Sequence, residues 1–205
     1  MRLGKVVKSN SHCDYVVQLD EPTEFRDAPT ANDYGFGTFV KLEDEHRHWA
    51  VGLIYNSQLL NPSFNALGPR LTSEPDPIFA PDLITETRTV LWTVLIGNLE
   101  SVSNKAQIYG VQGIPRVVVP VNTAVYRMTA TEVYQFHQDV LGRSQFTYYS
   151  HLLRSGGTFA TQLTYQVLLE LINSQQFSGA DERALIVLAR DLAWRNTVGM
   201  MGRSI

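Results

Sequence analysis

Residues Pro115 to His137 read PRVVVPVNTAVYRMTATEVYQFH. An apolar, β-branched run opens the stretch, Pro120 and a polar break interrupt it, and a Val125-Tyr126 pair leads into a helix start. Thr129-Ala-Thr-Glu132 has the spacing of a capping box, in which a hydroxyl caps the first turn while a glutamate reaches back to the backbone. The chain therefore changes character here. The residues before the stretch carry strand signals and those after it carry helical ones.

Upstream, LGKVVK (3–8) and CDYVVQL (13–19) flank the turn formers SNSH and read as a β-hairpin. FGTFVKLE (36–43) and HWAVGLIYNSQ (48–58), linked by DEHR, read as a second hairpin. TRTVLWTVLIGNL (87–99) is a near-continuous β-branched and aromatic run, which predicts a long bent strand or burial on both faces. PRVVVPV (115–121) predicts a last strand or an extended arm. Residues 61–82 concentrate proline, which excludes a central strand or a helix interior. The apolar Phe64, Leu67, Ile78 and Phe79 in that loop predict packing against something. Five to seven short strands without intervening helices predict a small antiparallel barrel or sandwich.

Downstream, Val133, Phe136, Val140 and Leu141 follow helical spacing, with Gly142 placed to end the helix. FTYYSHLL forms a second helical run. A third starts near Thr158 and carries Phe159, Leu163, Val167, Leu168, Leu171 and Ile172 on one broad face. Ser178-Gly-Ala-Asp181 starts a fourth, with Leu185, Leu188, Ala189 and Leu192 on its apolar face. The fold class is thus α+β: an N-terminal antiparallel β-domain over 1–125, with the Pro-rich loop at 61–82, then a bundle of three or four helices over 126–205.

The chain has 205 residues, 44% of them hydrophobic and 18% charged, with a net charge of −3. That length buries a core without metals or disulfides. No apolar run reaches the length of a membrane-spanning helix, and the first residues lack the apolar core of a secretory signal. The single Cys13 fits a reducing cytoplasm. The acidic balance disfavours phosphate backbones as partners. From residue 120 onward every basic residue is arginine, which suits interfaces or reflects a plain preference for arginine.

The order of elements resembles the HAS barrel, the small β-barrel shared by HerA-type DNA translocases and the ATP synthase N-terminal domain. LGKVVKSNSHCDYVVQLDE, GFGTFVKLE and WAVGLIYN match its strands, and VPVNTAVYRMTATEV looks like the segment through which translocases leave the barrel. The resemblance covers about residues 1–135 and implies a barrel. In those translocases a RecA-like ATPase follows, announced by a G-x-x-x-x-G-K-[ST] loop that holds phosphates. No such loop occurs here, no lysine lies beyond Lys105, and Gly156-Gly157-Thr158 lacks the glycine spacing. The resemblance therefore implies a docking or assembly barrel with a helical tail in place of a motor.

The remaining candidates for chemistry are few. His46 and His48, with His12 or Glu43, Asp44 or Glu45, have the elements of a weak metal site, or simply form a polar turn between strands. Cys13 beside His12 faces the opposite way in a strand and reads as a small half-buried residue. His137 and His151, next to aromatics on helices, read as satisfied structural histidines. Asp181 and Glu182 sit where the helix dipole favours acids, and Asp191 fits an exposed charged face. An exposed set of Tyr126, Arg127, Tyr134, Tyr148, Tyr149, Arg154, Trp194 and Arg195 has the composition of an interface or of a single-strand-binding surface, unless those residues belong to the core or its rim.

These readings predict a non-enzymatic, cytoplasmic interaction or assembly module without a cofactor. It docks through barrel and tail onto itself or a protein partner, with Phe64, Phe79, Tyr126, Arg127, Tyr134, Tyr149, Arg154, Trp194 and Arg195 as contacts. A nucleic-acid-binding barrel is the alternative, and a metal-assisted enzyme at His46 and His48 a third possibility. Truncation after Val121 is expected to leave a soluble barrel.

Overall fold

The computed structural model describes residues 1–22, 25–60, 88–101, 107–155 and 159–201. The Pro-rich loop with Phe64 and Phe79, and the Gly156-Gly157-Thr158 turn, lie outside the described residues.

Among the described residues seven strands come first: β1 (Arg2–Ser9), β2 (Asp14–Leu19), β3 (Phe39–Glu43), β4 (His48–Leu60), β5 (Arg88–Ser101), β6 (Ile108–Gln112) and β7 (Ala124–Arg127). Their order is β2-β1-β7-β3-β4-β5-β6, and a further β2–β5 pairing closes six of them into an antiparallel barrel. β5 is long enough to do two jobs on one edge. Val90 to Val94 pair with β2, and Gly97 to Ser101 pair with β6. Both expected hairpins form. The turn between β3 and β4 closes on Asp44, whose carboxylate accepts from the His46 and Arg47 amides at 2.9 Å each and from Trp49 Nε1 at 2.7 Å.

Side-chain alternation sorts the apolar residues into two cores. Val40, Leu42, Ala50, Ile54, Leu91, Leu95 and Val125 point into the barrel with Leu3, Val6, Tyr15 and Val17. Their neighbours Phe39, Val51, Leu53, Val94 and Ile96 point outward and join the helical core. Burial on both faces explains why β5 reads as a continuous apolar run. Inside the barrel wall, the Thr93 hydroxyl is fully buried with no hydrogen-bond partner among the described residues. Thr93→Val, which replaces that hydroxyl with a methyl, is expected to raise stability by about 1 kcal/mol in chemical denaturation.

Residues 115–121 are not a strand. Val118 and Val121 are exposed, while Val119 enters the barrel core and donates its N–H to Tyr15 Oη at 3.1 Å. The last strand is instead the short β7, which pairs with both β1 and β3. Two prolines break the stronger β-former run, and the ladder is completed by the four residues whose alternation places Val125 inside. β7 runs two residues past the expected domain boundary at 125/126.

Among the described residues four helices follow: α1 (Ala130–Phe136), α2 (Tyr149–Ser155), α3 (Ala160–Asn173) and α4 (Ala180–Met201). The capping box at α1 is complete, with the Glu132 amide donating to Thr129 Oγ1 at 3.3 Å and the Thr129 amide to Glu132 Oε2 at 2.8 Å. α1 stops at Phe136, earlier than the spacing suggests, and leaves Val140 and Leu141 exposed. Asp139 ends it by gathering the Leu141 and Arg143 amides, at 2.8 and 2.9 Å, into a turn of its own. α3 buries Leu163, Val167, Leu168 and Leu171, and α4 buries Leu185, Ala189 and Leu192. Among the described residues no helix is long and apolar enough to cross a membrane.

Candidate functional site

The chain between Thr30 and Thr38 is tied at both ends, and between these ties it borders a groove. Asp33 fixes the start: its carboxylate accepts from the Thr30 amide and hydroxyl at 2.8 and 2.7 Å and from Arg127 at 3.2 Å. These bonds hold the Asp33 carboxyl below its usual range, the Thr30 bonds contributing most. The end is fixed to β4, with Gly37 N–H donating to Ile54 O at 2.8 Å and Ile54 N–H to Thr38 O at 3.1 Å.

Between these ties Phe36 stands out and meets Phe159 edge to face, with ring centroids 6.5 Å apart. Both rings are exposed, Phe159 by 55%. They border a cavity of about 470 Å³ lined by Ala31, Tyr34, Gly35, Phe36, Ile54, Tyr55, Asn56, Ser57, Phe159 and Gln162. Among the described residues no charged side chain lines it. The Tyr55 hydroxyl donates to Asp14 Oδ1 at 2.8 Å, which anchors that ring to the barrel; burial, with Asp14 adding to it, pushes the phenol pKa up. Behind Phe36 a second cavity of about 330 Å³ runs toward Arg127, Met128 and Glu170. Phe36 is thus a wall between two hollows at the seam of barrel and helices.

A polar cluster occupies another part of the seam. Lys41 Nζ lies 2.7 Å from Glu43 and 2.9 Å from Glu132, so one lysine ties β3 to the capping glutamate of α1. Burial works to lower the Lys41 pKa, and the two carboxylates outweigh it and hold it raised. His48 Nδ1 is 3.6 Å from Glu43, and burial, against the pull of Glu43, keeps its pKa low. His46 is exposed in the turn, so the two histidines do not converge. No group of three or more potential ligands among the described residues is arranged to hold a metal ion.

His137 is a fully buried titratable group at the end of α1. Its ring is 1% exposed and sits among Phe39, Phe136, Phe146, Tyr148 and Phe177. Nδ1 lies 2.7 Å from the Val133 carbonyl, which only accepts, so Nδ1 carries the proton. Nε2 therefore accepts from the Tyr148 hydroxyl at 2.8 Å. Both nitrogens are used, and the residue pins α1 to the segment before α2. Burial lowers its pKa from 6.5 to about 4, with the Val133 bond opposing.

The folded value lies below the unfolded one, so the stability is present above 6.5 and is lost as pH falls through about 4. Denaturation at pH 7 and at pH 4 is expected to show about 3 kcal/mol of loss that the non-titrating His137→Gln lacks.

The expected contact residues are scattered over four elements. Tyr126 and Arg127 lie on β7, where Lys41 sits over the Tyr126 ring and Arg127 pairs with Asp33. Tyr134 packs on Phe177 and Tyr149 on Phe146, both against the helical core. Tyr148, expected at the surface, is fully buried because His137 needs its hydroxyl. Arg154, Trp194 and Arg195 are exposed, and Arg195 pairs with Asp191 at 2.9 Å. Asp181 accepts from Ser144 at 2.7 Å. His12 Nε2 donates to Pro115 O at 2.7 Å and His151 Nε2 to Leu95 O at 3.1 Å. Cys13 is half-buried, and burial raises its thiol pKa.

The groove-forming Phe36 and Phe159 did not stand out in the sequence. Helical spacing grouped Phe159 with the buried face of α3, yet it precedes the first turn and escapes that face. No curated protein matches the chain. The profile of a family described as Domain of unknown function (DUF8166) matches residues 1–202, and the chain belongs to that family.

Proposed function

We propose that the chain is a non-enzymatic docking module of the cytoplasm, a HAS-like barrel with a helical tail, that binds a protein surface in the Phe36–Phe159 groove. One observation supports this reading above the others. Two exposed aromatic rings border an uncharged cavity of about 470 Å³, and the loop that carries one of them is tied to both β4 and β7. Interface centres are depleted of charge and rich in aromatics, and pre-ordered loops lose little entropy on binding. Asn56, Ser57 and Gln162 provide the polar rim that fixes orientation.

The test is isolation of the tagged chain from its native cells, with and without nuclease, beside Phe159→Ala. The variant is expected to weaken capture of the bound protein by about 2 kcal/mol, roughly thirtyfold, because central aromatic anchors dominate binding. Its own thermal unfolding is expected to change little, since the ring is 55% exposed. Capture that the variant leaves unchanged would remove the groove from the account. Proteins lost on nuclease treatment would turn the reading toward nucleic acid.

A further inference from the structure

We infer that the cavity between α4 and the segment 137–146 binds an alkyl cation, an ammonium or guanidinium group on an aliphatic stem. The cavity holds about 220 Å³ and shares no lining residue with the Phe36–Phe159 groove. Pockets for whole small-molecule ligands run to roughly 300–1,000 Å³, so this one suits a group the size of a single side chain.

Its walls are the rings of His137, Phe146 and Phe177 and the aliphatic Leu185 and Leu188. Phe146 stacks on the His137 ring at 6.1 Å, and Phe177 meets that ring edge on at 5.9 Å. Phenyl faces attract a cation within about 6 Å, and leucines accept the methylenes of its stem. Burial holds the His137 pKa at about 4, so at neutral pH the imidazole adds an aromatic surface and no opposing charge.

The polar atoms set the sign of the ligand. Ser144 Oγ donates to Asp181 Oδ2 at 2.7 Å and accepts from Gln138 Nε2 at 3.2 Å. Gln145 Nε2 donates to the Gly110 and Gln138 carbonyls, at 2.6 and 3.1 Å. His137 Nδ1 donates to the Val133 carbonyl. Every side-chain donor lining the cavity is therefore engaged. Carbonyls only accept, so the Gln145 amide is fixed in this orientation and its Oε1 is left over. Asp181 Oδ1 is the other acceptor without a partner among the described residues. Arg143, close by in sequence to Ser144, is held by Asp139 at 2.7 Å. An anion would find no free side-chain donor here. A cation finds a carboxylate, an amide oxygen and aromatic faces.

The start of α4 works against a cation, because the helix dipole places about half a positive charge there. Asp181 and Glu182 in that turn oppose the dipole and Arg183, and of these three side chains Asp181 alone lines the cavity. The carboxylate nearest the ligand is thus the dominant charge.

The test titrates the full chain at neutral pH with n-butylamine, n-butylguanidine and uncharged n-butanol, read from the amide NMR shifts of Ala184 to Leu188. Both cations are expected to give saturable shifts and to bind at least about threefold more tightly than butanol. Asp181→Asn keeps an oxygen for Ser144 and removes the charge, and is expected to lower the cations to the level of butanol. Ala184→Leu, at an exposed lining position, is expected to obstruct all three probes. Phe159→Ala is expected to change none of these results, so the site stands or falls apart from the docking groove. Butanol binding as tightly as the cations overturns the inference. So does cation binding that Asp181→Asn leaves unaltered, or a lack of saturable shifts with every probe. A neutral peptide carrying one lysine distinguishes the source. Tighter binding than butylamine, lost in Asp181→Asn, assigns the cation to a protein side chain, and equal binding assigns it to a free amine.

Discussion

A chain ending at Val121 is expected to lose its cooperative fold. The cut removes β7, whose Val125 enters the barrel core and whose backbone joins β1 to β3. Without it the barrel opens along both ladders. The same cut removes all four of the described helices and bares Phe39, Val51, Leu53, Val94 and Ile96. Domains hold only about 5–15 kcal/mol of net stability, and fully burying one such side chain contributes about 1.5–3 kcal/mol. The expected result is aggregation or a broad, non-cooperative thermal transition. Ending instead at Met128 keeps all seven strands and isolates the second effect: that chain is expected to bind a hydrophobic dye strongly through its uncovered outer wall. A monomeric 1–121 fragment with a sharp transition would show that the barrel does not depend on β7. The loss of the fold expected here is the opposite of the soluble barrel that the sequence led one to expect of such a truncation.

Gly110→Ala should cost at least about 3 kcal/mol, unusual for the addition of one methyl group. A Cβ at Gly110 would lie 1.9 Å from the Phe136 carbonyl oxygen and 2.7 Å from its carbon. The obstacle is backbone, so no side-chain rotation relieves it. β6 would have to separate from the end of α1. That separation breaks Gly110 N–H to Gln138 O at 2.9 Å and Gln145 Nε2 to Gly110 O at 2.6 Å. It also disturbs Gln112, which donates to Phe136 O and accepts from the Thr147 amide. Gly113 provides the control. Its φ of +130° disfavours a side chain, but nothing lies within 4 Å of its Cβ position. Gly113→Ala is therefore expected to cost about 1 kcal/mol or a little more through backbone strain alone. Equal losses at the two positions in chemical denaturation would refute the close-approach argument.

These two cases also show which parts of the fold were legible in the sequence. The capping box at Thr129 and Glu132 was, because its bonds are local and its residues adjacent. So was β5, whose unbroken apolar run reflects burial on two faces. β7 was not. AVYR is four residues long and follows PRVVVPV, which has the stronger strand signal, and only its long-range pairing with β1 and β3 makes it a strand. β6 was hidden by Gly110, a poor strand former that is required by Phe136, a residue distant in sequence. The groove was illegible for a related reason. Nothing local distinguishes an exposed Phe159 from the buried Leu163 four residues later. Tyr148 gave the opposite error, since its hydroxyl is buried against an acceptor, His137, just past the end of α1.

The wall formed by β3, β4 and β5 has a consequence for how this architecture can be recombined. Its inner residues answer to one core and its outer residues to another, so the barrel is not an interchangeable cassette. A chimera that grafts these helices onto a foreign barrel must bring Phe39, Val51, Leu53, Val94 and Ile96 with them, interleaved with the recipient's own inward residues. Drift in the helices is therefore constrained by alternate positions of the strands, and one-residue slips in β4 or β5 exchange the two sets and spoil both cores at once.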